Sequence, residues 1–192
     1  MVVEPQEWGG RILVVCTGNI CRSPFIEYVL GRELAGLGIA VKSAGTGAFA
    51  GQPIDPSAAD QVRAHGADPG NHVARQITAG LIAEADLVLT ATRRHRGEVA
   101  VMSPRALCYA FTWNDFAELV HAMSAEHLDQ RGRGRDLRQV VAAVAARRGS
   151  VPPRSAPEVD IVDPYRQGRA VFDQMGREVM ASLPDVVRAL RQ

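Results

Sequence analysis

Short apolar strands that alternate with helices predict a three-layer α/β fold: a four-stranded parallel sheet with helices on both faces. Two observations support it. The candidate strands are apolar at successive positions, as in strands buried on both faces. Each is separated from the next by a helical segment, as a parallel crossover requires. The chain has 192 residues, 46% of them hydrophobic, and this length predicts a single domain over residues 1–192.

The first strand and helix have the clearest signals. RILVV, residues 11–15, is a short apolar run followed by a glycine-containing loop. Ser23 and Pro24 then fit the N-cap and the first position of a helix. Apolar side chains of this segment share one helical face, and Gly36 is expected to end it.

The remaining elements continue the alternation. Further strands are predicted over residues 39–43, 86–91 and 107–111. Helices are predicted over residues 56–65, 78–84, 93–102, 113–123, 136–147 and 168–191. The last helix contains Pro184, a residue that kinks or interrupts helices. The segment 148–162 is rich in Pro and Ser and is predicted to be a loop. Cys108 falls in the fourth predicted strand, where a buried, unreactive thiol is expected.

Composition argues against several classes of partner. The net charge of +1 gives no electrostatic reason to expect a nucleic acid or an acidic membrane surface. No apolar run approaches the ~20 residues of a membrane span, and the N-terminus does not resemble a signal peptide. We therefore expect a cytoplasmic protein without membrane insertion. The basic run RGRGR, residues 131–135, is interpreted as a solvated loop.

The stretch CTGNICRSP, residues 16–24, follows the first strand directly. Between a buried strand and a helix, successive backbone N–H groups can surround an anion, and the helix N-terminus adds positive potential. Gly18 is expected to supply a positive φ and a close approach to the ligand. Arg22 can bind two phosphate oxygens with its planar guanidinium. The same potential favours the thiolate of Cys16. These groups suit thiol-based phosphoryl transfer.

Other interpretations of this stretch are weaker. A zinc site at Cys16 and Cys21 would need a second pair of ligands, and the sequence offers none at a suitable spacing. The ATP-binding pattern G-x4-G-K-[ST] is absent. Neither a metal nor a cofactor is therefore expected. A purely structural Cys16 is disfavoured by the Gly, Asn, Arg, Ser and Pro that follow it in register.

The stretch resembles the signature C-x-G-N-x-C-R-S-P of the low-molecular-weight protein tyrosine phosphatases. Downstream segments are also similar to this family: VKSAGTGAF (41–49), residues 54–78, ADLVLTATRRHRGEV (85–99) and VDPYRQG (162–168). The resemblance extends over roughly residues 10 to 180. It suggests an actinobacterial-like member with an insert before the D-P-Y loop.

The resemblance implies specific roles for the loop residues. Cys16 would be the nucleophile that becomes a phosphocysteine. Ser23 would donate a hydrogen bond to the Cys16 sulfur, and Asn19 would hold the loop in shape, braced by Ser43 and His72. The phosphoryl oxygens would be bound by Arg22 and by the backbone of Thr17, Gly18, Asn19, Ile20 and Cys21.

The resemblance also implies a proton donor and an aromatic slot. Asp163 would protonate the leaving oxygen and then activate water, although Asp-Pro by itself often only starts a turn. Phe49 and Tyr165 would form the walls of a slot for an aryl phosphate, although either could be ordinary packing. Cys21 would form a reversible disulfide with Cys16 that protects it from over-oxidation, with a small apolar filler as the alternative.

Two departures from the family pattern stand out. Thr92 occupies a position where many members have Asp, which puts one contact near the loop in doubt. The region 123–160 is longer than in compact members, and an added helix and Pro-rich loop there could reshape the entrance or form a partner surface.

The implied activity is hydrolysis of phosphotyrosine in a protein substrate, with a tyrosine kinase as a possible partner. One alternative is a thioredoxin-coupled arsenate reductase. That reaction needs two further cysteines near residues 80 to 100, and none lies between Cys21 and Cys108. A phosphate- or phosphopeptide-binding module is another, although it would not require Asp163 in a D-P-aromatic setting. A phosphatase for other small phosphate esters is also left open.

Overall fold

A computed structural model describes residues 9–123 and 136–191, and the predicted parallel sheet is confirmed. The four strands pair in the order β2-β1-β3-β4, and every pairing is parallel. They are β1 (Gly10–Cys16), β2 (Ile39–Gly45), β3 (Leu87–Thr90) and β4 (Ala110–Thr112).

Helices cover both faces of this sheet. In chain order they are α1 (Arg22–Glu33), α2 (Pro56–Ala64), α3 (Ala79–Glu84), α4 (Arg93–Met102), a 3-10 helix (Pro104–Cys108), α5 (Trp113–His121), α6 (Leu137–Ala145), α7 (Ala156–Val159) and α8 (Arg169–Leu190). Ile12 and Val14 of β1 pack in one core with residues of α1, α2, α5, α6 and α8. Leu13 and Val15 pack in a second core with α3, α4 and the 3-10 helix. The unbroken apolar run of β1 therefore serves both faces of the sheet.

The start of the fourth strand and the burial of Cys108 were predicted wrongly. Pro104 opens the 3-10 helix, which includes Cys108, and β4 starts only at Ala110. Because residue 108 lies in a turn before the strand, its thiol is exposed rather than buried. Pro is favoured in the first turn of a helix. The 3-10 helix that Pro104 opens extends to Cys108, so the strand starts later than predicted.

The structure corrects one helix start and one predicted loop, and it shows the extent of the last helix. The first helix begins at Arg22, so Ser23 lies inside it and is not its N-cap. α8 continues through Pro184 without interruption. The predicted loop 148–162 contains the short helix α7, at whose start the Glu158 carboxylate accepts the backbone N–H of Ser155 at 2.7 Å. RGRGR lies outside the described residues.

The sheet order places the loop after β1 at a point where ligands bind in open α/β folds. From β1 the chain crosses to β2 on one side and later to β3 on the other. The connections therefore diverge around the carboxyl end of β1 and leave a crevice there. Among residues 9–123 and 136–191, no helix combines the length and the apolarity that crossing a bilayer would require.

Candidate active site

The loop that joins β1 to α1 has its carbonyl groups bonded outward. The carbonyl of every residue from 16 to 21 accepts a hydrogen bond from another backbone N–H or, at Asn19, from an imidazole ring. The donors, in order along the loop, are the N–H groups of Thr46, Gly47 and Phe49, the ring of His72, and the N–H groups of Asp55 and Phe25. The N–H groups of residues 17–21 donate to no acceptor in the described parts of the chain. Such a loop presents its N–H groups to an anion.

Asn19, not Gly18, is the loop residue with a positive φ. Its φ is +56°, in the left-handed region that Asn tolerates better than most residues. Gly18 is required for a different reason. A Cβ on Gly18 would lie 2.9 Å from the Phe49 ring, so glycine lets this ring close against the loop. Gly45 has a similar role, because a Cβ there would lie 2.2 Å from the Thr17 carbonyl oxygen.

The buried side chain of Asn19 connects the loop to β2 and to the segment after α2. Its amide nitrogen donates to the hydroxyls of Ser23 at 3.0 Å and Ser43 at 2.8 Å. Its amide oxygen accepts from the backbone N–H of Arg75 at 2.9 Å. The ring of His72 donates to the Asn19 carbonyl at 2.8 Å. The structure thus brings Ser43 and His72 to Asn19, and these contacts fix the left-handed turn of the loop.

Cys16 lies at the base of this loop with its side chain against Ser23. The Cys16 Sγ and Ser23 Oγ atoms are 3.0 Å apart, and both residues are buried. The Ser23 oxygen already accepts a hydrogen bond from Asn19. Its own proton can therefore be donated to the sulfur, and a hydrogen bond of this kind stabilises negative charge on the accepting atom.

Arg22 contacts Asp163 across the cavity. The Arg22 Nη2 atom lies 2.7 Å from Asp163 Oδ2. The other Asp163 oxygen accepts the backbone N–H of Tyr165 at 3.2 Å. Asp163 therefore forms the Asp-Pro turn and contacts Arg22 at the same time. The Arg22 Nε atom is buried and has no acceptor among the described residues. An anion held by the loop would be an acceptor for this N–H.

Two aromatic rings form one side of the cavity. The ring centroids of Phe49 and Tyr165 are 5.3 Å apart. The cavity has a volume of about 130 Å³ and is lined by Cys16, Thr17, Gly18, Ile20, Cys21, Arg22, Gly47, Phe49, Asp163 and Tyr165. Nine of these ten residues were candidates from the sequence, and Gly47 was not. Asn19 and Ser23, also candidates for substrate binding, place their buried side chains behind the loop instead.

Cys21 is a buried free thiol beside the nucleophile candidate. Burial raises the pKa of the Cys21 thiol well above its ordinary value, and the nearby Asp55 carboxylate and Cys16 raise it further. The Cys21 thiol is therefore neutral at neutral pH. Whether it guards Cys16 through a disulfide stays a prediction.

His95 is a residue of this site that the sequence did not single out. It lies in the first turn of α4, and its ring bonds to the Thr17 hydroxyl at 2.8 Å and to the Thr92 hydroxyl at 2.7 Å. Thr92 is also the N-cap of α4. Thr92, one of the two departures from the expected family pattern, is thus connected to the loop through the His95 ring. The sequence feature that could have indicated this contact is a Thr followed three residues later by a His.

Comparison with known families agrees with this geometry. The family model of the low molecular weight phosphotyrosine protein phosphatases matches residues 11–151. The chain therefore belongs to this family. The match includes the whole loop and His95 but ends before Asp163.

The similar proteins include phosphatases from several bacteria. The low molecular weight protein-tyrosine-phosphatase Wzb of Salmonella typhi is 47% identical over 94 residues, which are 49% of this chain and 62% of Wzb. The tyrosine phosphatase AmsI of Erwinia amylovora is 26% identical in sequence, with a TM-score of 0.69 over 96% of this chain and 95% of AmsI. The YwlE arginine phosphatase of Geobacillus stearothermophilus is 25% identical, with a TM-score of 0.69 over 95% of this chain and 93% of YwlE. The sequence matches to the curated relatives span only 62–63% of their length.

Proposed function

We propose that this protein is a protein tyrosine phosphatase that works through a phosphocysteine intermediate. The observation that carries the proposal is the loop whose carbonyls are bonded outward while its N–H groups surround the cavity beside Cys16. Such a loop binds a phosphoryl group without a metal ion, because N–H dipoles and the Arg22 charge neutralise its oxygens.

The first step transfers the phosphoryl group to the enzyme. The Cys16 thiolate attacks phosphorus, so that an S–P bond forms while the bond from phosphorus to the ester oxygen breaks. Asp163 gives its proton to the departing oxygen, because an unprotonated alkoxide or phenoxide is a poor leaving group. The Ser23 hydroxyl stabilises the sulfur as nucleophile, and later as leaving group.

The second step releases phosphate. Asp163, now a carboxylate, takes a proton from a water molecule as its oxygen attacks phosphorus. The S–P bond breaks, and inorganic phosphate and the Cys16 thiolate are the products. The same residue acts first as acid and then as base, so each turnover restores its starting protonation state.

The aromatic wall supports an aryl ester as substrate. Phe49 and Tyr165 stand over the loop with their rings tilted by 38° to one another, which suits a flat aromatic group inserted above the phosphoryl site. Wzb and AmsI are named as tyrosine phosphatases. A phosphotyrosine protein, with its tyrosine kinase as a partner, and a cytoplasmic location fit this proposal.

The arsenate reductase alternative has little support in the structure. Cys108 precedes the amino end of β4, whereas Cys16 ends β1 at its carboxyl end. Because the strands are parallel, these two cysteines lie at opposite ends of the strands. Cys108 is therefore badly placed to take a disulfide from the loop.

Hydrolysis of an aryl phosphate in the presence of a chelator tests the proposal. We expect turnover by the wild type, none by Cys16→Ser, and unchanged turnover by the control Cys108→Ser. A phosphotyrosine peptide should be preferred to a phosphoarginine peptide. Turnover by Cys16→Ser, or loss of activity with chelator, would contradict the mechanism. Arsenate reduction that depends on thioredoxin would favour the alternative.

A further inference from the structure

His95 is a buried side chain that the proposed mechanism does not use. Only 3% of its surface is exposed. Its Nε2 atom lies 2.8 Å from Thr17 Oγ1, and its Nδ1 atom lies 2.7 Å from Thr92 Oγ1. Thr17 follows Cys16 directly and lines the cavity. One imidazole ring therefore connects the N-cap of α4 to a hydroxyl beside the candidate nucleophile.

The hydrogen-bond network indicates which ring nitrogen carries the proton. Thr92 Oγ1 accepts the backbone N–H of His95 at 3.2 Å. Among the described residues, the only acceptor near enough for the Thr92 hydroxyl proton is Nδ1 of His95. If Thr92 donates to Nδ1, the ring proton is on Nε2 and is donated to Thr17 Oγ1. The Thr92 hydroxyl and both ring nitrogens of His95 then each have a hydrogen-bond partner.

This arrangement leaves the Thr17 hydroxyl proton available to the cavity. In the opposite tautomer, Nε2 would accept that proton, and Thr17 would present only lone pairs to a negatively charged phosphoryl group. The charge of the ligand therefore favours the same tautomer as Thr92 does. Thr17 itself is exposed, so its hydroxyl is accessible from the cavity.

The environment keeps the ring neutral, as this arrangement requires. Burial and the positive charges of Arg22 and Arg94 together lower the pKa of His95 to about 4. A neutral ring can accept from Thr92 and donate to Thr17 at the same time. A protonated ring can only donate.

We propose that His95 is a positioning residue that turns the Thr17 hydroxyl toward the phosphoryl group, so that Thr17 is an additional donor to its oxygens. The inference rests on the proposed function, since it assumes a phosphoryl group in the loop. A purely structural role of His95 would not depend on the Thr17 hydroxyl. A positioning role requires the effect of removing the His95 ring to depend on that hydroxyl.

A double-mutant cycle tests this coupling. Thr17→Val removes the hydroxyl but keeps the shape, and His95→Leu removes both ring nitrogens. Inhibition by orthovanadate is measured for each variant and for the double variant, alongside binding of inorganic phosphate, which needs no catalysis. Thr17→Val should weaken inhibition by about 10-fold, since hydrogen bonds to charged groups are strong. His95→Leu should weaken it by a similar factor, and the double variant should be no weaker than Thr17→Val alone.

Conservative and control variants separate positioning from folding. Thr17→Ser and His95→Gln each retain a donor, and we expect both to recover most of the affinity. Val101→Ala, at an 84% exposed position of the same helix, should leave inhibition unchanged. Thermal unfolding of every variant reports losses of stability separately.

The outcomes distinguish the two proposals. If His95→Leu weakens vanadate and phosphate binding equally with and without the Thr17 hydroxyl, or not at all, the positioning role is wrong. If the wild type binds phosphate with this coupling but hydrolyses no aryl phosphate, the proposed function fails while the positioning role is upheld.

Discussion

Arg22 donates to Asp163 at 2.7 Å, so the residue proposed to bind the phosphoryl group contacts the residue proposed to protonate the leaving oxygen. The Arg22 side chain is 6% exposed and that of Asp163 is 53% exposed. The two are therefore not equivalent: Arg22 is fixed under the loop, and Asp163 approaches it from a surface turn. In the proposed mechanism a phosphoryl group would compete with Asp163 for the guanidinium, and the displaced carboxyl group would then face the ester oxygen.

We expect Asp163→Asn to slow turnover of an aryl phosphate by roughly 100- to 10,000-fold, because the amide cannot supply the proton. The loss should shrink as the leaving phenol becomes more acidic, since such a phenol departs without protonation. Because Asp163 is half exposed, its ion pair contributes little to stability, and Tm should hardly change. Steady-state rates for a series of substituted phenyl phosphates measure the effect.

Asp160→Asn is the matched control. The Asp160 carboxylate accepts the backbone N–H of Arg93 at 2.8 Å and does not line the cavity. A leaving-group dependence like that of wild type is expected for it. If Asp160→Asn, and not Asp163→Asn, produced the steep dependence, the assignment of the acid would be wrong.

The sheet, the position of the loop and most of the cavity lining could be predicted because local signals determine them. The apolar run of β1 and the nine-residue stretch after it are contiguous in the chain. The edge strand β4 was misplaced because it has only three residues, and a Pro-led turn shifts its start. Short edge strands carry too little periodicity to fix a boundary.

Which loop residues form the site was easier to predict than the contacts that make each of them necessary. Gly18 was expected at the positive φ, yet Asn19 takes it, because its side chain is held by Ser23 and Ser43 from other turns of the chain. The contact between Thr17 and His95 joins residues 78 positions apart. Such contacts depend on tertiary packing, and one sequence cannot reveal them.

Asn19→Ala should destabilise the protein by about 3 kcal/mol. The change removes the amide that donates to the hydroxyls of Ser23 and Ser43, and it leaves the backbone N–H of Arg75 without its acceptor. It also places Ala at a positive φ. Activity should fall as well, since the loop loses its brace. Chemical denaturation measures the loss of stability. Asn114→Ala, which also removes two side-chain hydrogen bonds but lies outside the cavity, should lose less stability and keep its activity.

Gly18→Ala should impair binding of aryl phosphates selectively. The new methyl group would lie 2.9 Å from the Phe49 ring and displace it. Because aromatic contacts of this kind contribute about 0.5–1.5 kcal/mol, KM for an aryl phosphate should rise several-fold. Phe49→Ala should have a similar effect. Inhibition by inorganic phosphate should hardly change in Phe49→Ala, since phosphate does not reach the ring. Equal losses for phosphate and for aryl phosphate would show that the slot does not select the aromatic group.

Acid sensitivity of the fold should depend on His95. Its pKa is lowered from an ordinary value of 6.5 to about 4 by burial and by the charges of Arg22 and Arg94. Between these two pH values the unfolded chain binds a proton at this residue and the folded chain does not, so stability rises with pH there. Lowering the pH from 6.5 to 4 should therefore remove up to about 3 kcal/mol of unfolding free energy through this residue.

His95→Gln has no group that titrates in this range, so its stability should decline less steeply between pH 6.5 and 4. His121→Gln is the matched control, because the His121 side chain is 74% exposed. Its profile should follow that of the wild type. Urea denaturation at half-unit steps of pH gives the three curves. If the wild type and His95→Gln lost stability in parallel, the ring would be titrating at its ordinary pKa, and it would be protonated when it faces Thr17 in mildly acidic solution.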